Sequence, residues 1–457
     1  MAFRRLACVA VTAALTLSPA QPAHATMYLP RIGLILHDNV LMRSHPGHDG
    51  RVIAVLVQQS QVRVLALTGL WAHVRVWASI SGWVSKAEVT FRKPWVTVSS
   101  YRAPEEHYRV HSHAPQPLRV RATALAALPI STVVNGPPVA HIPAGTNVTI
   151  SEWAQSATGD IWYRAGKSWA PGENLRFEYT PSFKTRIHAS RVLSRVSGKG
   201  MWLTLGTVSN NESSAIVSAA VDNGITHLYV ESAISPLGFH GRRSVSHLLE
   251  AAHRHHLAVI AWVYPYLDDL ASDVALTREV AAFRSLSGQR FDGIAADLER
   301  NVSIANVRAY SQLTRTYLGT HYLLVGVTYP PQSLPGFPYG EVGRWFNVIA
   351  PMDYWHQTRS DYGLDFGHMK YGYDYGYRYA FDSVLSIQRT AGRVPVAPIG
   401  QAFDDYGRLE MGPRAPSASE TRGFLAGVKA SHAIGASFFQ WLTATEPEWQ
   451  EIRGFRL

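Results

Sequence analysis

The sequence lacks residues and segments on which several classes of protein depend. Cys8 is its one cysteine, which excludes an internal disulfide framework and every cysteine-based zinc site. No segment approaches the ~18 consecutive apolar residues that a membrane-spanning helix needs. Charged residues make up 17% of the 457 residues and hydrophobic residues 46%, which excludes wholesale disorder. The length predicts roughly two to four domains.

The N-terminus is typical of a secretory signal at residues 1–25. Two arginines precede an apolar stretch at residues 6–17, which is too short to span a bilayer. The small-x-small pattern Ala-His-Ala at residues 23–25 predicts cleavage there, and that cleavage would remove Cys8. We therefore expect a secreted protein, extracellular or associated with the cell wall, without a stable membrane anchor. A buried N-terminal helix is the alternative.

Basic residues outnumber acidic ones, with 43 Lys and Arg against 33 Asp and Glu and a net charge of +10. Such a surplus favours attraction of a secreted protein to an anionic cell wall. The sequence has no long Lys/Arg run and no nucleic-acid-binding motif, so nucleic acid is not an expected partner.

Two passages near the N-terminus carry short alternating β-runs separated by small turns. They occupy residues 30–92 and 118–180, and each predicts a small all-β barrel. Residues 93–117 between them are rich in proline and poor in apolar runs, which predicts a linker.

Both passages resemble bacterial Src-homology-3-like (SH3-like) domains. The shared marks are an apolar strand, a Pro-x-Gly turn at residues 143–145, and a closing Gly-Trp-Val at 82–84 or Ser-Trp-Ala at 168–170. The resemblance implies either binding of cell-wall peptides or a spacer role.

From residue 197 the pattern changes to apolar strands that alternate with helical stretches. Such runs indicate a parallel sheet that is buried on both faces. The eight predicted strands are residues 201–205, 225–230, 258–263, 291–296, 322–327, 346–350, 394–399 and 436–441. Helices are predicted at residues 213–223, 246–256, 274–285, 304–318 and 420–432.

Eight such units in residues 197–457 predict a closed (β/α)8 TIM barrel. The expected fold class is therefore α/β, with two small all-β SH3-like barrels in front of the TIM barrel. A doubly wound open sheet is the alternative, and it is disfavoured because no G-x-G-x-x-G follows the first strand.

The active site of such a barrel forms where the strands run into the loops that follow them. At those positions the sequence has many carboxylates and aromatic residues, which favours cleavage of a sugar polymer over acyl transfer. The candidate substrate-binding residues are Trp202, Glu231, Tyr264, Tyr329, Asp353, Tyr354, Gln401 and Trp441.

Asp297 and Glu299, at the end of the fourth predicted strand, are the candidate catalytic residues. Because strand side chains alternate, both point to one side of the strand and Leu298 points to the other. Two carboxyl groups so close cannot both ionise cheaply near neutral pH, so one pKa is raised, as a general acid requires. The alternative is a structural role, in an ion pair with Arg300 or as a cap on the next helix.

The segment around this pair resembles the catalytic strand of family 18 glycoside hydrolases, whose pattern is Asp-Gly-x-Asp-x-Asp-x-Glu. Asp292, Gly293, Asp297 and Glu299 match it in register, whereas Ala295 stands in place of an acid. The family's Ser-x-Gly-Gly signature is absent from the third predicted strand. An Asp-x-Glu at this place also resembles family 25 lysozymes, but the acid of their first strand is absent here.

The resemblance implies roles for four residues. Glu299 would donate a proton to the glycosidic oxygen, and Asp297 would orient a substrate acetamido group that attacks the anomeric carbon. Tyr354, in a Met-x-Tyr similar to that of the family, would hydrogen-bond this group, and Trp441 would form the floor beneath the sugar. If the second carboxylate were instead Glu231, Asp353 or Asp404, across the barrel mouth, direct displacement or inversion would be possible.

These patterns predict a secreted glycoside hydrolase that acts on an N-acetylated cell-wall polysaccharide, such as peptidoglycan, or on a chitin-like one. No cofactor is implied. No metal is expected either, because His253, His255 and His256 lie on a predicted helix at offsets that do not converge. The alternative is a catalytically inactive carbohydrate or cell-wall binder on the same barrel, for which Ala295 is the motivation.

Overall fold

The computed structural model describes residues 31–37, 40–56, 61–76, 80–90, 115–156, 160–177, 190–356, 372–403 and 415–457. The predicted signal lies outside these ranges, as does most of the predicted linker. Within them the chain forms two β units, followed by a barrel of parallel strands and helices.

The first β unit is an antiparallel sheet of seven strands in the order β3-β2-β6-β5-β4-β1-β7. Alternation builds its core, since every second residue along Trp71–Val76 is buried. The strands are β1 Arg31–Ile35, β2 Val40–Arg43, β3 Val52–Leu56, β4 Gln61–Thr68, β5 Trp71–Val76, β6 Ile80–Ser85 and β7 Val89–Thr90.

The second β unit has a five-stranded antiparallel sheet in the order β13-β12-β11-β8-β14 and a two-stranded sheet of β9 and β10. Trp153 and Tyr163 lie in its core. Its first strand begins inside the stretch predicted as a linker. The strands are β8 Gln116–Ala124, β9 Leu128–Ile130, β10 Ala140–Ile142, β11 Asn147–Gln155, β12 Ile161–Ala165, β13 Ser168–Pro171 and β14 Leu175–Phe177.

Eight parallel strands then close into a barrel, because β15 pairs with β16 on one side and with β23 on the other. β17 is a short antiparallel addition to β16. The strands are β15 Gly198–Leu203, β16 His227–Ile234, β17 Gly238–Phe239, β18 Ala258–Tyr264, β19 Gly293–Asp297, β20 Leu323–Thr328, β21 Val348–Asp353, β22 Ile399–Gln401 and β23 Gly435–Phe439.

Helices surround this barrel, as near-continuous apolar strands require. Among the described helices, none has the length and apolar character needed to cross a bilayer. The helices are α1 Ser190–Leu193, α2 Leu205–Asn210, α3 Ser213–Asp222, α4 Arg242–Arg254, α5 Leu270–Ala282, α6 Ile304–Leu318, α7 Tyr339–Trp345, α8 Tyr373–Ala391, α9 Ala418–Ala430 and α10 Glu446–Gly454.

Side chains along each barrel strand alternate between the interior and the helix layer. In β19, Ala295 belongs to the interior cluster, whereas Ile294 and Ala296 belong to the outer core. The interior cluster is apolar and closely packed, so the barrel is a filled core and its site must lie at one end. Buried residues of this cluster include Trp202, Tyr229, Ile260, Ala295, Val325, Val327, Ala350, Met352 and Ile399.

Each predicted barrel strand has an observed counterpart, and the seventh differs most. The prediction covers residues 394–399, whereas β22 spans Ile399–Gln401. Val396 makes only an isolated bridge, to Ile349. Pro395 and Pro398 explain the difference, because proline has no N–H to donate to a strand ladder.

Both β units dock on the barrel through hydrogen bonds near its carboxyl-terminal end. In the first unit, the N–H of Val55 donates to Oδ1 of Asn211 at 3.0 Å. In the second unit, the buried amide of Gln155 donates to the carbonyl of Asp268 at 3.0 Å and accepts from the N–H of Leu270 at 2.8 Å. The two units therefore meet loops that follow different barrel strands.

Candidate active site

A cavity of about 800 Å³ opens at the carboxyl-terminal mouth of the barrel. Its walls are mostly aromatic and aliphatic. The carboxyl groups among its described lining residues are those of Asp297 and Glu299. The lining consists of Trp202, Trp262, Asp297, Glu299, Val302, Val327, Tyr329, Pro330, Ser333, Leu334, Met352, Tyr354, Ile399 and Phe439.

Strand β19 aims the two carboxyl groups into this cavity. Asp297 is its last residue, and the N–H of Leu298 continues the pairing with the carbonyl of Val327 at 3.0 Å. Glu299 therefore stays on the side of Asp297, while Leu298 packs into the outer core. The two carboxyl groups lie close enough for the charge of Glu299 to act on Asp297, with Asp297 buried and Glu299 half-buried at the mouth.

Neither structural alternative engages the pair. The guanidinium of Arg300 lies over the ring of Tyr266, 4.1 Å from its centroid. Helix α6 is capped by Ser303, whose Oγ accepts from the N–H of Asn306 at 3.1 Å. The described contacts therefore leave the two carboxyl groups directed at the cavity.

Burial and mutual repulsion act on the proton affinity of the pair. Burial raises the pKa of Asp297 well above its ordinary value, the charge of Glu299 raises it further, and a hydrogen bond from Trp262 partly offsets both. Burial also raises the pKa of Glu299, against the lowering effect of hydrogen bonds with Asp297 and Tyr329. Two coupled carboxyl groups of this kind hold one proton and one negative charge over a wide range of pH.

Trp262 is a site residue that strand-end reasoning overlooks. Its Nε1 donates to Oδ2 of Asp297 at 2.9 Å. It lies directly beside Ala295 in the register of β18 and β19. The small alanine side chain leaves room for the indole, so a neutral N–H donor faces Asp297 on the side where the family pattern has an acid. A large interior residue next to a small one on the neighbouring strand is the signal that points to this pairing.

The floor and walls of the cavity are aromatic. Trp202 stacks on Tyr229 with ring centroids 4.1 Å apart and an interplanar angle of 5°, and its Nε1 donates to Oγ of Ser437 at 2.9 Å. Tyr354 and Phe439 form part of the wall, with ring centroids 6.0 Å apart. These contacts hold an apolar surface of fixed shape beneath the carboxyl pair.

Two further predicted tyrosines stand next to the pair. Tyr329 lines the cavity together with Glu299, and its hydroxyl lowers the pKa of Glu299. Tyr264 lies beside the lining, and burial raises its pKa, followed by the charges of Glu299 and Asp297. Both are therefore close enough to act on the proton of the pair.

The structure places Asp353 outside the cavity. Because side chains alternate along β21, Met352 and Tyr354 face the interior and Asp353 faces α8. Asp353 is fully buried there and accepts from Oγ of Ser383 at 2.7 Å. Burial raises its pKa well above the ordinary value, which favours a neutral structural carboxyl group.

Trp441 is also outside the cavity, because β23 ends at Phe439 and the alternation ends with it. Trp441 is fully buried and packs edge-on against Trp449, with ring centroids 5.3 Å apart. Phe439 lines the cavity in the place expected for Trp441. The expectation that Trp441 forms the floor is therefore wrong in this geometry.

Gln401 and Glu231 lie near the mouth but serve its framework. Gln401 is fully buried, accepting from the N–H of His356 at 2.9 Å and donating to the carbonyl of Phe403 at 3.1 Å. Glu231 accepts from the N–H of Leu205 at 2.8 Å, at the start of α2. Neither belongs to the lining, so a second catalytic carboxylate at Glu231 is not supported. Asp404 lies outside the described residues.

One comparison with known proteins identifies the first β unit. Residues 38–90 match the bacterial SH3 domain family, and the match ends before the second β unit. No curated protein sequence matches the chain.

Solved structures similar to this chain include the spore cortex-lytic enzyme SleL of Bacillus cereus, with 11% identity and a TM-score of 0.41 over 72% of this chain and 99% of that one. A chitinase of Chromobacterium violaceum has 12% identity and a TM-score of 0.41, and the match covers 57% of this chain and 100% of that one. The class V chitinase of Nicotiana tobaccum has 12% identity and a TM-score of 0.38, and the match covers 57% of this chain and 100% of that one.

The chain thus combines an N-terminal bacterial SH3 domain with a C-terminal TIM barrel. The ring of eight parallel strands establishes the barrel by itself. What the barrel does depends on the side chains at its mouth, since one barrel fold hosts many activities.

Proposed function

We propose that this chain is a secreted glycoside hydrolase that cleaves N-acetylated polysaccharides of the cell-wall or chitin-like kind. The observation that carries the proposal is that Asp297 and Glu299 lie side by side in the lining of an aromatic cavity. Two carboxyl groups that flank a glycosidic bond stand about 5–5.5 Å apart in retaining enzymes and about 6.5–9.5 Å apart in inverting ones. Asp297 and Glu299 lie two residues apart on the same side of one strand, so they do not flank a bond from opposite sides, and the nucleophile comes from the substrate.

An acetamido group on the sugar provides that nucleophile. Glu299 gives its proton to the glycosidic oxygen as the bond from that oxygen to the anomeric carbon breaks, and the acetamido oxygen forms a bond to the same carbon. Asp297 accepts a hydrogen bond from the acetamido N–H and stabilises its developing positive charge. Water then opens the cyclic intermediate and returns a proton to Glu299, which gives net retention.

Trp262 supports the charge that this step requires. As Asp297 passes the shared proton to Glu299, Asp297 becomes the anion of the pair. The N–H of Trp262, 2.9 Å from Oδ2, stabilises that anion. Tyr354, on the cavity wall, would hydrogen-bond the acetamido group, and Trp202 and Phe439 would contact the apolar face of the sugar.

The direct test is release of reducing ends from purified cell walls and from N-acetylglucosamine oligomers by the mature protein. We expect release by the wild type and by Glu279→Gln, whose carboxylate is exposed on α5 and pairs with Arg242. From Glu299→Gln we expect release that is lower by about a hundredfold or more. Equal release by wild type and Glu299→Gln, or no release by either, contradicts the proposal.

The second candidate function is a binder without activity, which Ala295 favours because an acid of the family pattern is lost there. Retention on insoluble wall without product release, unchanged in Glu299→Gln, would support this candidate. The hydrogen bond that Trp262 supplies in its place favours the hydrolase.

Replacing Trp262 by phenylalanine should shift the acid limb of the kcat/KM profile to higher pH by about one to two units. A hydrogen bond to a charged acceptor contributes roughly 1.5–3 kcal/mol, and its loss raises the pKa of Asp297. The active state of the enzyme needs one negative charge on the pair. In the variant the pair becomes fully protonated at a higher pH than in the wild type, so activity falls at a higher pH.

Trp202→Phe is the matched control for this measurement. It also removes an indole N–H, but that group donates to Ser437 rather than to a carboxyl group. Its acid limb should coincide with that of the wild type even if its rate falls. Coincident limbs for Trp262→Phe and wild type would show that Trp262 only fills space.

A further inference from the structure

We propose that the cleft between the second β unit and the barrel is a further saccharide-binding subsite, which takes the same polymer as the catalytic cavity. This inference rests on the proposed function. The cleft has a volume of about 460 Å³ and lies between strands β12 and β13 on one side and the start of α6 on the other. Its principal lining residues are Asp160, Trp162, Pro171, Ser303, Asn306 and Arg308.

The cleft and the catalytic cavity adjoin each other. Val302 lines the catalytic cavity, and the next residue, Ser303, lines the cleft. Both follow β19 and Glu299 along the chain, at the carboxyl-terminal end of the barrel. The start of α6 thus borders both, and a polymer bound across Glu299 would pass the start of α6 to enter the cleft.

The chemistry of the cleft suits a sugar. Trp162 faces outward from β12, since its neighbours Ile161 and Tyr163 are buried in the core of the second β unit. Its register partner is Pro171, so the two form an apolar surface. Among the described residues, Nε1 of Trp162 has no hydrogen-bond partner. That N–H is itself buried, so it is the indole face, next to polar side chains such as Asp160 and Asn306, that can bind the apolar face of one sugar unit.

Both walls of the cleft are held in place. Gln155, at the end of β11, joins the second β unit to the loop before α5 through two hydrogen bonds. On the barrel wall, Arg308 pairs with Glu341 at 3.0 Å, and Asn306 donates to the carbonyl of Asn301 at 3.0 Å. A subsite whose walls are already positioned loses little entropy when it binds. The second β unit would therefore contribute to substrate binding rather than act only as a spacer.

The test measures affinity as a function of oligomer length in the full mature chain carrying Glu299→Gln, which prevents turnover. Titration calorimetry would use N-acetylglucosamine oligomers from two to eight units. Adding Trp162→Ala should weaken binding of the longest oligomers by about threefold to tenfold, in line with the contribution of one aromatic contact, and leave the dimer unaffected. Trp162→Tyr should retain most of the affinity for long oligomers.

Trp83→Ala, in the first β unit, is the matched control. Trp83 stacks on His73 with ring centroids 4.7 Å apart. The Trp83→Ala substitution should leave the binding of oligomers of every length unchanged. If Trp162→Ala binds long oligomers as well as the Glu299→Gln parent does, or weakens binding equally at all lengths, the subsite proposal is overturned. The proposed function still stands in that case if the parent binds the dimer. Absence of binding by the parent at every length overturns both.

Discussion

The Glu299→Gln variant should lose polymer cleavage by about 10²–10⁴-fold yet keep most of its activity on an aryl glycoside with a good leaving group. A general acid is needed when the departing oxygen is a poor leaving group. A stabilised phenolate departs without a proton, so the missing acid costs little there. Steady-state kinetics on both substrates with the same N-acetylated sugar would measure the difference.

Asp297→Asn is the informative comparison for this experiment. Asp297 acts on the acetamido group, which attacks in the same way whichever group departs. Its loss should therefore slow both substrates to a similar extent. A Glu299→Gln variant that is slowed equally on both substrates would show that Glu299 is not the proton donor.

Replacing Arg315 by methionine should destabilise the barrel by about 2–4 kcal/mol. Arg315 is 1% exposed on α6. Its guanidinium donates to the carbonyls of Trp345, Gly319 and Tyr322 at 2.6–2.8 Å, and to Oδ1 of Asn347 at 2.6 Å. Methionine has similar length but no donor, so the buried carbonyl of Trp345 would lose the hydrogen bond from Arg315, whereas Oδ1 of Asn347 would keep the one from the N–H of Leu324 at 2.6 Å. Urea unfolding monitored by tryptophan fluorescence would give the change.

Arg278→Met, which removes an arginine from α5, is the control for that substitution. Arg278 lies over the ring of Tyr317 at 4.3 Å, and an exposed contact of this kind contributes about 0.5–1 kcal/mol. A loss for Arg315→Met as small as that for Arg278→Met would mean that water replaces the lost hydrogen bonds.

The barrel could be predicted from sequence because its strands are buried on both faces and appear as separate apolar runs. The same reasoning gave Asp297 and Glu299, since two residues two apart on one strand must share a side. Applied to β21, that alternation also excludes Asp353 from the side of Met352 and Tyr354. Asp353 is a candidate because it lies in a motif similar to that of the family, but the alternation of side chains along the strand decides which way it points.

Other features depend on information that a sequence does not carry locally. Trp441 is misassigned because alternation holds only while the strand lasts, and β23 ends two residues earlier. Trp262 is missed because its role depends on register with Ala295, a relation between two strands. The subsite at Trp162 requires the position of one domain on another. Local sequence patterns predict strands, helices and the faces that they bury. Which residues lie next to each other on neighbouring strands or domains is known only from the folded chain.

The pairing of β15 with β23 has a consequence for biosynthesis. The two strands come from opposite ends of the barrel segment, yet they complete the ring. A chain made from its amino terminus leaves β15 and β22 as open sheet edges until the last segment emerges. Open edges recruit strands from other molecules. A premature stop before Gly435 would therefore yield an aggregating polypeptide rather than a shortened enzyme.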